Sequence, residues 1–271
     1  MKELNEILNI KPNEKKSSFN AVKNNAIRIW KESKIVDGIY ECKKCYNHGY
    51  IIDFDEYDEI KYIQCECYNI RQARRKMRDM GLLKYLGNNN SFDEFIAVES
   101  WEKRIKKYAI EFVDNYKNKM FYIGGQVGAG KTKICSLIFA NILMKTGHIS
   151  YEYIIWGDTA RTLAFDDKNK KEMDYLKEMD ILYIDDFLRS TARSDFKIQQ
   201  WEREVMMELI NYRYINNKTT IISSELYFNE LVEIDDSVAS RIYENADGGK
   251  YCLSIKRDKN RNKRLINNEI L

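Results

Sequence analysis

Proline is nearly missing from this chain: only one of its 271 residues is a proline, Pro12, and it lies in the polar stretch Asn9 to Ser18. That stretch predicts a break between a short N-terminal helix and the next one. No internal repeat is present. Long apolar runs are lacking as well. Met1 to Asn9 has no hydrophobic segment of leader type, and the stretch Ile134 to Met144 is short and interrupted by Ser136 and Asn141, which excludes a bilayer-spanning helix there. An excess of one charge is the third absence: 45 basic against 42 acidic residues leave +3, so any attraction to nucleic acid has to come from local patches. Together these absences predict a soluble, cytoplasmic protein with no membrane partner. The length leaves room for one full α/β domain and a smaller appendage. The linker Asn88-Asn89-Asn90 marks the boundary, giving residues 1–90 and 91–271.

What is present in an informative pattern is cysteine. Six thiols without a leader segment argue for reduced cysteines, some of them metal ligands, and not for a disulfide framework. Cys42-x-x-Cys45 and Cys65-x-Cys67 flank two predicted strands, Tyr50 to Phe54 and Ile60 to Gln64, around the acidic turn Asp55 to Glu59, with Gly49 just past the first pair. A zinc ribbon gathers both pairs at the base of such a hairpin into a tetrahedral thiolate site for Zn²⁺. Buried free thiols are the alternative, and His48 is a substitute ligand. Cys135 and Cys252 fall in a helix and a strand and are assigned to the core.

Gly125-Gln126-Val127-Gly128-Ala129-Gly130-Lys131-Thr132 matches G-x-x-x-x-G-K-[ST] in full. It follows an apolar strand, Met120 to Ile123, and opens a helix whose apolar stripe is Ile134, Leu137, Ile138 and Leu143, the context that a phosphate loop requires. Glycine lets N–H groups turn inward around the phosphates of ATP, Lys131 reaches the β and γ phosphates, and the Thr132 hydroxyl can ligate Mg²⁺. Ile181-Leu182-Tyr183-Ile184-Asp185-Asp186 is a buried strand ending in two carboxylates. Asp185 is predicted to hold Mg²⁺, and Asp186 to orient or deprotonate the attacking water.

Ser100 opens a helix with Trp101, Ile105, Tyr108, Phe112 and Tyr116 on one face. Strands at Met120 to Ile123, Ser150 to Ile155, Ile181 to Ile184, Thr219 to Ser223 and Tyr251 to Ile255 alternate with helices. That order predicts a three-layer α/β domain with a parallel sheet.

With these residues in place, the chain resembles AAA+ ATPases, and among them the DnaC- and DnaI-type replicative helicase loaders, including phage-encoded ones. The likeness covers roughly residues 91 to 265. It is carried by Asp185-Asp186, by the strand Thr220-Ile221-Ile222-Ser223-Ser224 and by Ser240-Arg241-Ile242. It implies that Arg241 is the finger that reaches a neighbouring subunit's γ phosphate. It places Ser224 or Glu225 at the sensor 1 position, where the family often has Asn, and makes Asp258-x-x-Arg261 similar to the loaders' C-terminal basic motif. Only 30 residues follow Arg241, fewer than a separate helical lid needs, so a lidless P-loop AAA+ domain is expected.

By the same resemblance the cofactors are ATP, Mg²⁺ and Zn²⁺, and the partners are a replicative helicase, single-stranded DNA and further copies of this chain through the ATPase domain. The cysteine-bearing region is similar to the loaders' zinc-binding, helicase-binding region. ATP turnover is expected to be slow, negligible in the dilute monomer and raised by assembly or DNA. The alternatives are an IstB-type transposition helper, a P-loop kinase of a small metabolite, and a zinc-organised adaptor that binds ATP with little hydrolysis. Three basic or aromatic features are left with two readings each. The Arg71 to Arg78 cluster is the solvated face of a helix or a contact for helicase or DNA phosphates. Trp156 and Arg161 are core and surface residues or contacts for single-stranded DNA. Lys250 to Arg264, with seven basic residues and Asp258 as its one acid, is an ordinary surface stretch or a phosphate-binding one.

Overall fold

The computed structural model describes residues 12–57, 59–87, 90–146, 150–165, 170–192 and 197–266. The predicted helix before Pro12, Asp58 of the acidic turn, and Asn88 and Asn89 of the linker lie outside the described residues. Two compact units divide the chain, Met1–Arg75 and Lys76–Leu271. Among the described residues no helix is long and apolar enough to cross a membrane.

In the first unit, α1 runs Pro12–Glu32. The predicted break at Asn9 to Ser18 is therefore corrected from Pro12 onward: a proline at the first helical position loses no intrahelical hydrogen bond, so it starts this helix instead of preventing it. β1 (Tyr50–Phe54) and β2 (Ile60–Gln64) form the expected antiparallel hairpin, with Tyr50 opposite Gln64 and Phe54 opposite Ile60. α2 (Tyr68–Asp79) follows directly. Its basic cluster is not simply a solvated face. Arg71 and Arg74 are buried; Arg71 donates to the Tyr40 carbonyl and the Asp37 carboxylate, and Arg74 donates to the Ile39 carbonyl. These two guanidiniums fasten the 37–40 loop to the helix, which spacing alone does not reveal.

The second unit contains a five-stranded sheet of order β4-β5-β6-β3-β7, all parallel: β3 (Met120–Gly125), β4 (Tyr151–Ile155), β5 (Ile181–Phe187), β6 (Thr219–Ser224) and β7 (Cys252–Ile255). β3 and the first four residues of β5 are continuous apolar runs because helices cover both faces of a parallel sheet. Preceding the sheet, α3 (Ser100–Asn115) buries Ile105, Ala109, Phe112 and Val113 and starts in a capping box between Glu99 and Glu102. α4 (Lys131–Thr146) leaves the phosphate loop and is buried nearly all round, from Ile134 through Ala140. α5 (Trp156–Phe165), α6 (Lys170–Glu178), α7 (Arg189–Ala192), α8 (Gln200–Ile215), α9 (Phe228–Ile234) and α10 (Asp236–Asn245) complete the layers. Trp156 is fully buried and its indole N–H donates to Glu202 at 2.9 Å, so of its two readings the structure selects core. A last short helix, α11 (Lys263–Ile266), follows a 3-10 turn at Lys259–Arg261.

Candidate active site

All five strands point their C-terminal ends the same way, and a crevice at that edge is where parallel α/β sheets bind ligands. A cleft of ≈ 560 Å³ lies there. Its lining includes Val127, Gly128, Gly130, Lys131 and Thr132 of the phosphate loop, Asp185 and Asp186 from β5, and Tyr153, Arg189, Glu225 and Arg264. The loop conformation depends on glycine at two places. Gly125 has φ +102° and lies so close to the Ile255 carbonyl that a Cβ would fall 2.1 Å from it. Gly128, at φ +75°, would place a Cβ 2.0 Å from Asn262 Oδ1.

Two consecutive carboxylates can line one cleft because β5 is irregular. In a regular strand Asp185 and Asp186 would project to opposite faces. Here the register slips between Ile184 and Phe187, Asp186 takes φ +55° and Leu188 +53°, and both acids reach the cleft. This left-handed backbone at a non-glycine residue is the kind of strain that collects at functional sites.

Asp185 is buried and held by three hydroxyls. Thr132 Oγ1 donates to Oδ1 at 3.2 Å, Ser223 Oγ donates to the same oxygen, and Tyr153 OH donates to Oδ2 at 3.4 Å. Asp186 accepts from Arg189 Nη1 at 2.7 Å, and Arg189 Nε lies 3.1 Å from Glu225 Oε1. Burial, reinforced by the neighbouring Asp185 charge, raises the Asp186 carboxyl above the usual range despite Arg189. Burial brings the Lys131 ammonium down to about 8, with Glu225 and Asp186 pulling it the other way. Lys131 Nζ donates to the carbonyls of Gly125 and Gln126, each at 2.8 Å.

The remaining predicted positions do not all gather here. Gln126 faces the C-terminal segment, accepting from the Asp258 N–H at 2.8 Å. Ser224 is fully buried; its hydroxyl donates to the Phe187 carbonyl at 2.7 Å and accepts from the Leu226 N–H at 3.1 Å. Glu225 is the one of the two sensor 1 positions that lines the cleft. Arg241 is not among the lining residues of its own chain's cleft and donates to the Ser237 carbonyl at 2.6 Å. Sequence reasoning missed Tyr153 and Arg189; it placed Ser223 in the polar-ended strand without a role and Arg264 only at the end of the basic stretch Lys250 to Arg264. Tyr153 and Ser223 carried a signal, since each sits near the C-terminal end of a predicted strand.

In the first unit, the ligand atoms of Cys42, Cys45, Cys65 and Cys67 all lie within 4.8 Å of one another. Cys42 and Cys65 sulfurs are 3.8 Å apart, and those of Cys45 and Cys67 3.3 Å. Tetrahedral thiolates about 2.3 Å from a zinc ion stand about 3.8 Å apart, so the donor set and its spacing fit Zn²⁺. Gly49 donates to Cys45 Sγ at 3.3 Å; burial pushes the Cys42 thiol up, but the N–H groups of Cys45 and Lys44 and the neighbouring thiols together outweigh it and bring it to about 7, whereas burial pushes the Cys65 and Cys67 thiols up.

The profile of the Bacterial DnaA ATPase domain family matches residues 86–246. YqaM of Bacillus subtilis (strain 168), described as uncharacterized, is 27% identical over 190 residues, which is 67% of this chain and 60% of YqaM. The chain thus spans less than two thirds of that relative's length. The phage-like element PBSX protein XkdC, from the same organism, is 26% identical over 227 residues, covering 80% of this chain and 83% of XkdC. A crystal structure of DnaI superposes with a TM-score of 0.50 at 19% identity, over 66% of this chain and 93% of that one, a likeness of fold.

Proposed function

This chain belongs to the Bacterial DnaA ATPase domain family, and from that premise we propose that it is an ATP-dependent loader of a replicative hexameric helicase onto single-stranded DNA. Family membership establishes a replication-type AAA+ ATPase; the loading activity is our reading. The observation that carries the nucleotide part is the cleft, which assembles the phosphate loop, a hydroxyl–carboxylate pair and a second carboxylate in one place.

Lys131 binds the β and γ phosphates, giving up the two loop carbonyls it now contacts. Thr132 and Asp185 offer hard oxygen donors to Mg²⁺, which when bound neutralises phosphate charge. Asp186 orients the water for attack on the γ phosphate, and its raised pKa suits a proton acceptor. Arg241, outside its own cleft, serves a neighbouring copy, which makes ATP a switch for assembly. Residues 1–90, organised by Zn²⁺ on Cys42, Cys45, Cys65 and Cys67, bind the helicase.

A strand-loading assay tests this. Wild-type protein with ATP is expected to transfer replicative helicase onto single-stranded DNA closed by bound SSB protein, and Lys131→Ala to abolish transfer. Zinc removal by chelator is expected to end helicase capture while leaving nucleotide binding intact. Absence of helicase capture by the zinc-loaded protein would sink the loader reading.

A further inference from the structure

Arg189 is a cation of the cleft to which the functional reading gives no role, and it touches two of the cleft's carboxylates. Asp185, Asp186 and Glu225 bring three carboxylates into a site meant for a polyanion. Left bare, they oppose an incoming γ phosphate. Arg189 counters two of them at once, with Nη1 on Asp186 at 2.7 Å and Nε on Glu225 at 3.1 Å. The pair of contacts spans β5 and β6, since Arg189 opens α7 directly after the β5 irregularity and Glu225 follows the last residue of β6. Glu225 stands where the resemblance leads one to expect an uncharged amide, and Arg189 is the cation that matches the departure.

We propose that Arg189 is a γ-phosphate sensor acting within its own subunit: in the empty cleft it clamps Asp186 and Glu225, and ATP, but not ADP, draws it onto the γ phosphate. The inference rests on the ATPase reading above. A planar guanidinium exchanges one pair of oxygens for another without changing its geometry, because phosphate and carboxylate both match its fork. The side chain is 45% exposed, so its present ion pairs are water-screened and easily surrendered. A γ phosphate carries more charge than either carboxylate. ADP lacks that group, and the clamp stays shut on Asp186. Release of Asp186 then coincides with arrival of the one ligand it acts upon, which couples occupancy to the availability of the hydrolytic carboxylate.

The test is a titration of full-length protein with labelled ATP and ADP in the presence of Mg²⁺. Wild type is expected to bind ATP more tightly than ADP. Arg189→Gln is expected to lower that preference about tenfold or more, the scale of one charged hydrogen-bond pair, with ADP affinity changed less than about twofold. Glu225→Gln, which removes one jaw of the clamp and keeps Arg189, is expected to raise ATP affinity and leave ADP unchanged; it also serves should Arg189→Gln fold poorly. An unchanged preference in Arg189→Gln, or an equal loss for both nucleotides, overturns the sensor and leaves the ATPase reading standing. If wild type binds neither nucleotide, both fall.

Discussion

Lys131 shows most directly how burial sets the behaviour of the cleft. An ammonium sealed under the loop, with two carbonyls as acceptors, pays a desolvation cost that brings its pKa to about 8. Below that pH the empty cleft is already charged; above it, binding a triphosphate has to bring a proton along. The bound phosphate favours the protonated lysine, so its pKa rises on binding and the affinity for Mg-ATP falls as pH rises through about 8, steepening toward about tenfold per pH unit. Nucleotide titrations at successive pH values between 7 and 9.5 check this. Lys131→Met is expected to bind far more weakly, with a profile that is flat over the same range.

Among the elements, the C-terminal segment changes the picture most. The Lys263 N–H donates to the Gly128 carbonyl at 3.0 Å, the Asp258 N–H donates to Gln126 Oε1 at 2.8 Å, and Lys263 Nζ pairs with Glu102 at 2.8 Å. Arg261 lies 5.1 Å from the Trp101 ring centroid, and Arg264 lines the cleft. The segment therefore acts as a strap on the phosphate loop, attached to α3. Glu102 is buried, and although burial opposes it, Lys263 and the N–H groups of Glu99 and Val98 hold its carboxyl below the usual range. A carboxylate depressed in this way adds stability above its unfolded pKa and loses it as pH falls through the folded one. Lys263→Met is expected to cost about 1 kcal/mol at pH 7, discounted for the lysine's exposure, and to weaken nucleotide binding severalfold. The stability difference from wild type should close as urea melts are taken below about pH 4. A difference independent of pH would remove the ion pair from the account.

The strap also marks the limit of what the sequence carries. The five parallel strands, the hairpin between the cysteine pairs and the phosphate loop were legible because each rests on local periodicity or on a fixed motif spacing. The strap, the inward-facing Arg71 and Arg74, and the Arg189 clamp were not. Their partners lie far away in sequence or depend on a bulge, and a basic residue carries no mark of which way it points. Pro12 was misjudged for another reason: proline's effect on a helix reverses between its interior and its first turn.

For the whole molecule, the decisive fact is that Arg241 does not line the cleft of its own chain, whereas Lys131, Thr132, Asp185 and Asp186 do. A single subunit on this reading binds ATP and hydrolyses it poorly, and catalytic competence belongs to the contact between two copies. Mixing two inactive variants separates this from a merely structural arginine. Asp186→Asn keeps its finger but cannot use its own water; Arg241→Ala keeps its Asp186 but offers its neighbour nothing. In a mixed assembly, the Asp186→Asn subunit can present Arg241 to the intact cleft of an Arg241→Ala subunit. Each variant alone is expected to turn over ATP at background, and an equimolar mixture at conditions favouring assembly to recover about a quarter of wild-type activity per subunit, the share of random contacts in which an intact finger meets an intact cleft, with the rate per subunit rising with concentration. Activity of Arg241→Ala equal to wild type, or wild-type turnover that is independent of concentration, would place the whole reaction inside one chain.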